Sequence, residues 1–448
     1  MSYMIFSRRT INERQEKSAR ALEKLGKNVL VFSGNPITKP GGLDQTYTFL
    51  PHPRHYWLSG FRRSGCVMAY APGEGWTCFV RPIDEDEIIW EGVSEEPEGR
   101  PISELPQWLS RHSGHIHDGT VIAGSEMPGY DYAYSPEAAE ILDSCRRPKD
   151  SEEIALIRRA VDCAAPAFAK IRDILSDRDR LRPKYRKRYM TERGIQTELE
   201  AEFIRRGAHG TSFDTIVAAD RHTSVLHFPP GDSEANDVVM IDAGTQVYEY
   251  SCDITRTIPV DGIYSSQYRQ IFDLVVAAQK AAISMASPGV EWNRVHIAAA
   301  TVIAKGLAEM GILRCSPYQA VDNGAVGLFM PHGIGHMLGL RVRDVGGKLK
   351  GRENNRYAGT SIRVDMPLEE GFVMTAEPGV YFIEPLLKSE KTKEKYGSFL
   401  NWNELEKWLN IGGCRQEDDI LITKSGCEVL TSDIPKETVS DCDRGCIR

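Results

Sequence analysis

Apolar residues recur along this chain at the helical spacing in some stretches and as short unbroken runs in others, and the two patterns alternate. From Asn12 to about Leu25 the pattern is helical and charged. Val29-Leu-Val-Phe then reads as a buried strand closed by a Ser-Gly turn. Runs at Gly65-Cys-Val-Met-Ala-Tyr, Trp76-Thr-Cys-Phe-Val and Thr120-Val-Ile-Ala-Gly add strands, and Ile102 to Arg111 is a polar helix between them. The pattern predicts a small mixed α/β layer domain.

Around Arg146-Arg-Pro-Lys-Asp-Ser-Glu-Glu the chain turns polar, and Asp150 with Glu153 forms a capping-box signature opening a helix from Ile154 to Ile171. This places a boundary between an N-terminal domain, 1–149, and a larger domain, 150–448. In the second domain helices are expected at Gln196 to Arg206, Tyr264 to Ala286 and Val295 to Met310. Strands are expected at Asp214 to Ala218, Val238 to Asp242 and Asp253 to Val260, with strand patterns broken by turns from Gly371 onward. The Arg- and Lys-rich run Ser176 to Arg193, which contains Pro183, reads as a solvated helix end and loop without a function of its own.

Composition narrows the class. A chain of 448 residues, 41% hydrophobic and 26% charged, is long enough to bury two cores. Its net charge of −8 is opposite in sign to the footprint of a nucleic-acid binder. The start of the chain turns polar at once, and no later window is apolar enough to span a bilayer, so no membrane association is expected. The ten cysteines are scattered without a CxxC pair, which suits reduced thiols and a cytoplasmic protein. Cys442 and Cys446 lie at a spacing that would suit a metal or a disulfide, although a frayed tail accounts for them more simply.

Four segments carry chemistry. In Val239-Met-Ile-Asp242-Ala-Gly and Cys252-Asp253-Ile-Thr-Arg-Thr257, each aspartate adjoins an apolar or β-branched run, where an unpaired carboxylate is costly unless it meets a cation. If the runs are adjacent antiparallel strands, the two carboxylates lie opposite one another and share an ion; read singly, both are also ordinary strand-end aspartates. In Pro331-His332-Gly-Ile-Gly-His336, two histidines stand four apart, but the glutamate of a zinc-peptidase helix is missing. The flanking glycines suggest backbone freedom and close approach by a ligand, with one histidine on a metal and the other on substrate; a structural histidine pair fits equally well. Glu377 is the only acid of Met374-Thr-Ala-Glu-Pro-Gly-Val-Tyr381, and Glu417 enters a strand at Gly412-Gly-Cys-Arg-Gln-Glu-Asp-Asp-Ile420. Together these segments offer four carboxylates and one imidazole, an oxygen-rich set that suits Mn, Co, Fe or Zn, and two ions better than one.

The combination and order of these segments resemble the prolidase and aminopeptidase P family, most strongly from about Phe213 to Thr431. The resemblance implies a creatinase-like α/β N-terminal domain followed by an α+β pita-bread catalytic domain, a homodimer, and two divalent metal ions, Mn first. It implies that Asp242 chelates one ion, that Asp253 and Glu417 bridge both, and that His336 and Glu377 complete the second. Hydrolysis of Xaa-Pro amide bonds in a dipeptide or short peptide would use a hydroxide held between the ions. Glu377 would shuttle its proton, and His332 would hydrogen-bond the oxyanion or the leaving group. His227, in Val225-Leu-His-Phe228, and His332 would approach the substrate, and Arg415 would support the bridging carboxylates.

Two departures from the family pattern loosen the link to substrate. Val342-Arg343-Asp344 replaces the usual Val-His-Asp, which turns a neutral imidazole into a permanent cation and makes Arg343 a substrate-binding candidate. Met366 stands where prolidases usually carry the arginine that clamps a free carboxylate. A second expectation is therefore the same dimetal site acting on a non-prolyl amide, an ester or another small substrate. Metal-free catalysis of the creatinase kind and an inactive pita-bread binding module are weaker alternatives, because the ligand set is intact.

Overall fold

The strands expected at Val29-Leu-Val-Phe and at Val238 to Asp242 form because their runs are buried over their whole length, between sheet neighbours on both sides. The computed structural model describes residues 5–93, 97–112, 119–176 and 189–436. Most of the basic run from Ser176 to Arg193, together with Cys442 and Cys446, lies outside the described residues. The chain divides into two compact units, Met1–Arg147 and Pro148–Arg448.

In the first unit the fully buried strand Asn28–Phe32 pairs antiparallel with Val67–Ala71 and parallel with Thr120–Ile122. Gly75–Val80 and Arg100–Pro101 extend the sheet to five strands. The helix expected from Asn12 begins earlier, at Arg8–Leu22, because the Ser7 side chain accepts from the Thr10 amide and caps it. Leu105–His112 lays Trp108 and Leu109 on Leu30, Phe32 and Phe79. Two helices, Pro53–Ser59 and Pro136–Arg146, were not expected from periodicity. The first is too short to show a period, and the Ser135-Pro136 cap that announces the second was legible.

The second unit opens with the expected capping box. The Glu153 amide donates to Asp150 Oδ1 at 3.0 Å and the Asp150 amide to Glu153 Oε2 at 3.2 Å, starting a helix that runs Ser151–Ser176. Helices Ser266–Met285 and Trp292–Glu309 bury Phe272, Val275, Val295 and Ile303 in the main core. An antiparallel sheet places Val238–Ala243 between Ile216–Ala219 and Ile254–Pro259. A second sheet joins Val373–Ala376, Asp418–Ile422 and Cys427–Val429, and Gly379–Tyr381 pairs with Gly413–Arg415. A bridge between Thr255 and Glu417 ties the two sheets together. No helix among the described residues is long and apolar enough to cross a membrane.

The register corrects one expectation. Asp242 stands opposite Thr255, and not opposite Asp253, which lies just before the strand Ile254–Pro259. Alternation still puts Asp253 and Thr255 on one face, so the two aspartates meet diagonally.

Candidate metal centre

The second unit carries a cavity of about 850 Å³ whose lining includes Asp242, Asp253, His336, Glu377 and Glu417. Ligand atoms of Asp253, His336 and Glu417, all three buried, lie within 4.8 Å of one another. His336 Nε2 is 3.4 Å from Asp253 Oδ2 and 3.8 Å from Glu377 Oε1. Asp242, on the neighbouring strand, turns Oδ2 to the Arg415 guanidinium at 2.6 Å and keeps a buried Oδ1 with no hydrogen-bond partner.

Backbone pairing positions these groups. The Glu417 amide donates to the Thr255 carbonyl at 3.0 Å, and the Thr255 hydroxyl donates to Glu417 Oε2 at 2.7 Å. The buried Arg256 guanidinium grips the Glu417 carbonyl and Asp418 Oδ1, at 2.5 and 2.7 Å. His336 exchanges backbone bonds with Thr375, whose amide donates to its carbonyl and whose hydroxyl accepts from its amide. A Cβ on Gly335 would fall 2.0 Å from the Thr375 carbonyl oxygen, and one on Gly333 3.3 Å from Ile362 Cα. These glycines let the neighbouring backbone approach closely, and both also line the cavity. The segment is irregular and not a zinc-peptidase helix.

The protonation states follow from burial. His336 Nδ1 donates to the Met337 carbonyl at 3.0 Å, which leaves Nε2 as the ligating atom. Burial opposes its cation but is outweighed by Asp253 and Glu377, so its pKa is raised. Burial pushes Asp242 and Asp253 up, and burial with the charges of Asp253, Glu377 and Asp242 pushes Glu417 well up. Carboxylates crowded together in this way, one with a bare buried oxygen, call for neutralising cations, and a pair of divalent ions fits that need.

Around this cluster stand the residues expected to meet substrate. His332 Nδ1 donates to the Gly333 carbonyl at 2.8 Å, and Nε2 lies 2.9 Å from the Tyr381 hydroxyl. Because Arg415 Nη1 donates to that hydroxyl at 2.8 Å, the phenolic proton points to His332, which is neutral in agreement with a pKa lowered chiefly by burial. Both ring nitrogens of His332 are thus engaged, and Nε2 must leave Tyr381 to reach a ligand. His227 lines the cavity on a loop pinned by the buried Glu192, which accepts from the Ala219 and Gly231 amides. Its pKa is lowered by burial and by Arg343, Arg415 and Arg363.

Arg343 also lines the cavity, whereas Met366 does not; its side chain is buried in the main core. Sequence reasoning missed Arg363 and Tyr381. Tyr381 stood at the end of a quoted motif and could have been suspected as a polar ring in a buried strand, but Arg363 carried no signal.

Comparison with known proteins gives the family and the fold. The sequence pattern of metallopeptidase family M24 matches residues 155–424, and that of the aminopeptidase P N-terminal domain matches 12–101. The chain is 30% identical over 415 residues to a probable Xaa-Pro aminopeptidase of Fusarium vanettenii, covering 87% of this chain and 86% of that protein. It is 31% identical to another from Aspergillus terreus, covering 87% of each. The fold matches Pseudomonas aeruginosa aminopeptidase PepP at a TM-score of 0.76, with 24% identity over 99% and 98% of the two chains. It also matches Escherichia coli aminopeptidase P with the inhibitor Pro-Leu at a TM-score of 0.74, with 25% identity over 96% of each. The expected two-domain fold is therefore the one observed, and the chain belongs to metallopeptidase family M24, carrying an aminopeptidase P N-terminal domain ahead of its catalytic unit.

Proposed function

We propose that this metallopeptidase hydrolyses the amide bond before proline in short peptides, using two divalent metal ions held by Asp242, Asp253, His336, Glu377 and Glu417. The observation that carries the reading is the convergence of buried Asp253, His336 and Glu417 within 4.8 Å, beside an Asp242 whose Oδ1 is bare. Bound ions supply Lewis acidity, which polarises a carbonyl and acidifies water. The chain's own groups do the rest. Glu377 Oε1 faces His336, so Oε2 is the oxygen available to take the proton of the attacking water and return it to the imino nitrogen. His332 Nε2, released from Tyr381, turns to the substrate, and His227 orients it from the opposite loop. Arg415 fixes Asp242 and, through Tyr381, His332.

We assign Mn as the resident metal on the strength of the oxygen-rich donor set. Cytoplasmic residence is supported by the eight described cysteines, all unpaired. The homodimer rests on the family resemblance. Metal-loaded protein should cleave Ala-Pro, Gly-Pro or a longer Xaa-Pro peptide; failure on all of them overturns the substrate assignment. Metal analysis of protein from its native source, light scattering and localisation of a tagged chain check the other assignments.

A further inference from the structure

The two glutamates of the candidate centre face each other across a break in a β-ladder. Val373–Ala376 pairs with Asp418–Ile422 and ends with Ala376 opposite Asp418, while Gly379–Tyr381 pairs with Gly413–Arg415 and starts with Gly379 opposite Arg415. Both pairings keep one antiparallel register. The two positions missing between them therefore set Glu377 opposite Glu417 and Pro378 opposite Gln416.

Proline accounts for the break. In an antiparallel ladder a hydrogen-bonded pair exchanges two bonds, and the pair beside it exchanges none and brings its side chains closer together. The Gln416 amide donates to the Pro378 carbonyl at 3.3 Å, which marks this pair as the bonded one, but Pro378 has no N–H with which to return the bond. The Gln416 carbonyl, next in the chain to Glu417, is left without a donor from the opposite strand. Glu377 and Glu417 form the unbonded pair, and their amides turn outward to the Ile334 and Thr255 carbonyls.

The missing donor comes from the helix Ser266–Met285. Gln279, fully buried on that helix, donates from Nε2 to the Gln416 carbonyl at 3.1 Å and to the Ala376 carbonyl at 2.8 Å. One side-chain amide thus grips the carbonyl immediately before each glutamate. No other donor reaches the Gln416 carbonyl among the described residues. Gln279 Oε1 has no partner, a cost that an aliphatic side chain of the same length would avoid, so this amide is buried for its donors.

Resting on the dimetal reading above, we propose that Gln279 is a positioning residue of the metal centre: it supplies the hydrogen bond that Pro378 cannot make and so holds Glu377 and Glu417 opposite one another as ligands.

Q279M keeps the length of the side chain and removes its donors. Calorimetric titration of metal-free wild type, Q279M, P378A and Q279M/P378A with Mn(II) gives affinities, and the visible spectrum of each protein loaded with Co(II) reports the ligand geometry. Q279M should hold Mn(II) about 10- to 100-fold more weakly, the scale for losing a group that orients metal ligands, and its Co(II) spectrum should change. P378A provides an amide opposite the Gln416 carbonyl, so on that background the Q279M penalty should shrink to about 3-fold or less. L274A, a core truncation on the same helix, should lower the unfolding midpoint and leave Mn(II) affinity unchanged.

Equal Mn(II) affinity in wild type and Q279M, an unchanged Co(II) spectrum, a penalty undiminished in P378A, or an equal loss of affinity in L274A overturns the proposal. Should Q279M fail to fold, folded metal-binding protein from Q279M/P378A supports it and failure of both overturns it. If wild type takes up no metal, the dimetal reading itself fails and the proposal with it; uptake by wild type with no change in Q279M sinks the proposal alone.

Discussion

Arg415→Met tests whether the buried guanidinium and the metal ions neutralise the same carboxylate. The substitution keeps a long apolar side chain and removes three hydrogen bonds, to Asp242 Oδ2 at 2.6 Å, the Tyr381 hydroxyl at 2.8 Å and the Thr255 hydroxyl at 3.2 Å. Asp242 is then left buried with neither oxygen paired by the protein. Orphaning one partner of a buried ion pair costs about 3–5 kcal/mol, part of it relieved if the carboxylate takes a proton. A divalent ion at Asp242 restores the missing positive charge. The chelated variant should therefore lose about 3–5 kcal/mol, and the loaded variant less by at least about 1.4 kcal/mol. By linkage the difference appears as metal binding at least about tenfold tighter in the variant than in wild type. Urea unfolding in chelator and in Mn, followed on the transition that responds to metal, gives the stabilities, and calorimetric titration gives the affinities. Equal losses with and without metal, or weaker metal binding in the variant, would refute the shared-carboxylate argument.

Further predictions follow from single contacts. Gly335→Ala places a methyl 2.0 Å from the Thr375 carbonyl oxygen; it should cost about 3 kcal/mol and lower metal retention, read by thermal unfolding and metal analysis. Tyr381→Phe removes the hydroxyl between Arg415 and His332; kcat should fall about 10-fold or more, stability should fall by about 1–3 kcal/mol because Arg415 Nη1 loses its acceptor, and an unchanged kcat would remove Tyr381 from the machinery. His296 is buried, its pKa lowered chiefly by burial from 6.5 to about 4. The unfolded chain takes a proton there that the folded chain refuses, so the contribution is intact above pH 6.5 and is lost as pH falls toward 4. It amounts to up to about 3 kcal/mol, and His296→Phe should flatten that part of a stability-versus-pH curve.

The acids and histidines of the candidate centre were legible because each breaks a local rule. A carboxylate beside an apolar run, or histidines set among glycines, is an anomaly visible within a few residues of chain. The same locality exposed the capping box at Asp150 and Glu153 and the buried strands of both units. Arg363 breaks no such rule. It is an exposed arginine beside a buried strand, and only the pairing of Gly347–Lys348 with Val364–Asp365 carries it to the wall that holds Arg343. Met366 offers no group to the cavity, since its side chain is packed into the core.

The sequence by itself therefore determined the kind of chemistry, because burial cost and donor type are properties of residues and their immediate neighbours. Tertiary structure decided the geometry. It set Asp242 opposite Thr255, chose the His336 nitrogen that is free, gave Arg415 to Asp242, and left Arg343 and Arg363 without partners. These outcomes depend on strand register and on the folded course of the backbone, and their reach can be long: Asp242 and Arg415 are separated by 173 positions. Pairings over such distances are selected by packing of the whole core, which no local pattern encodes.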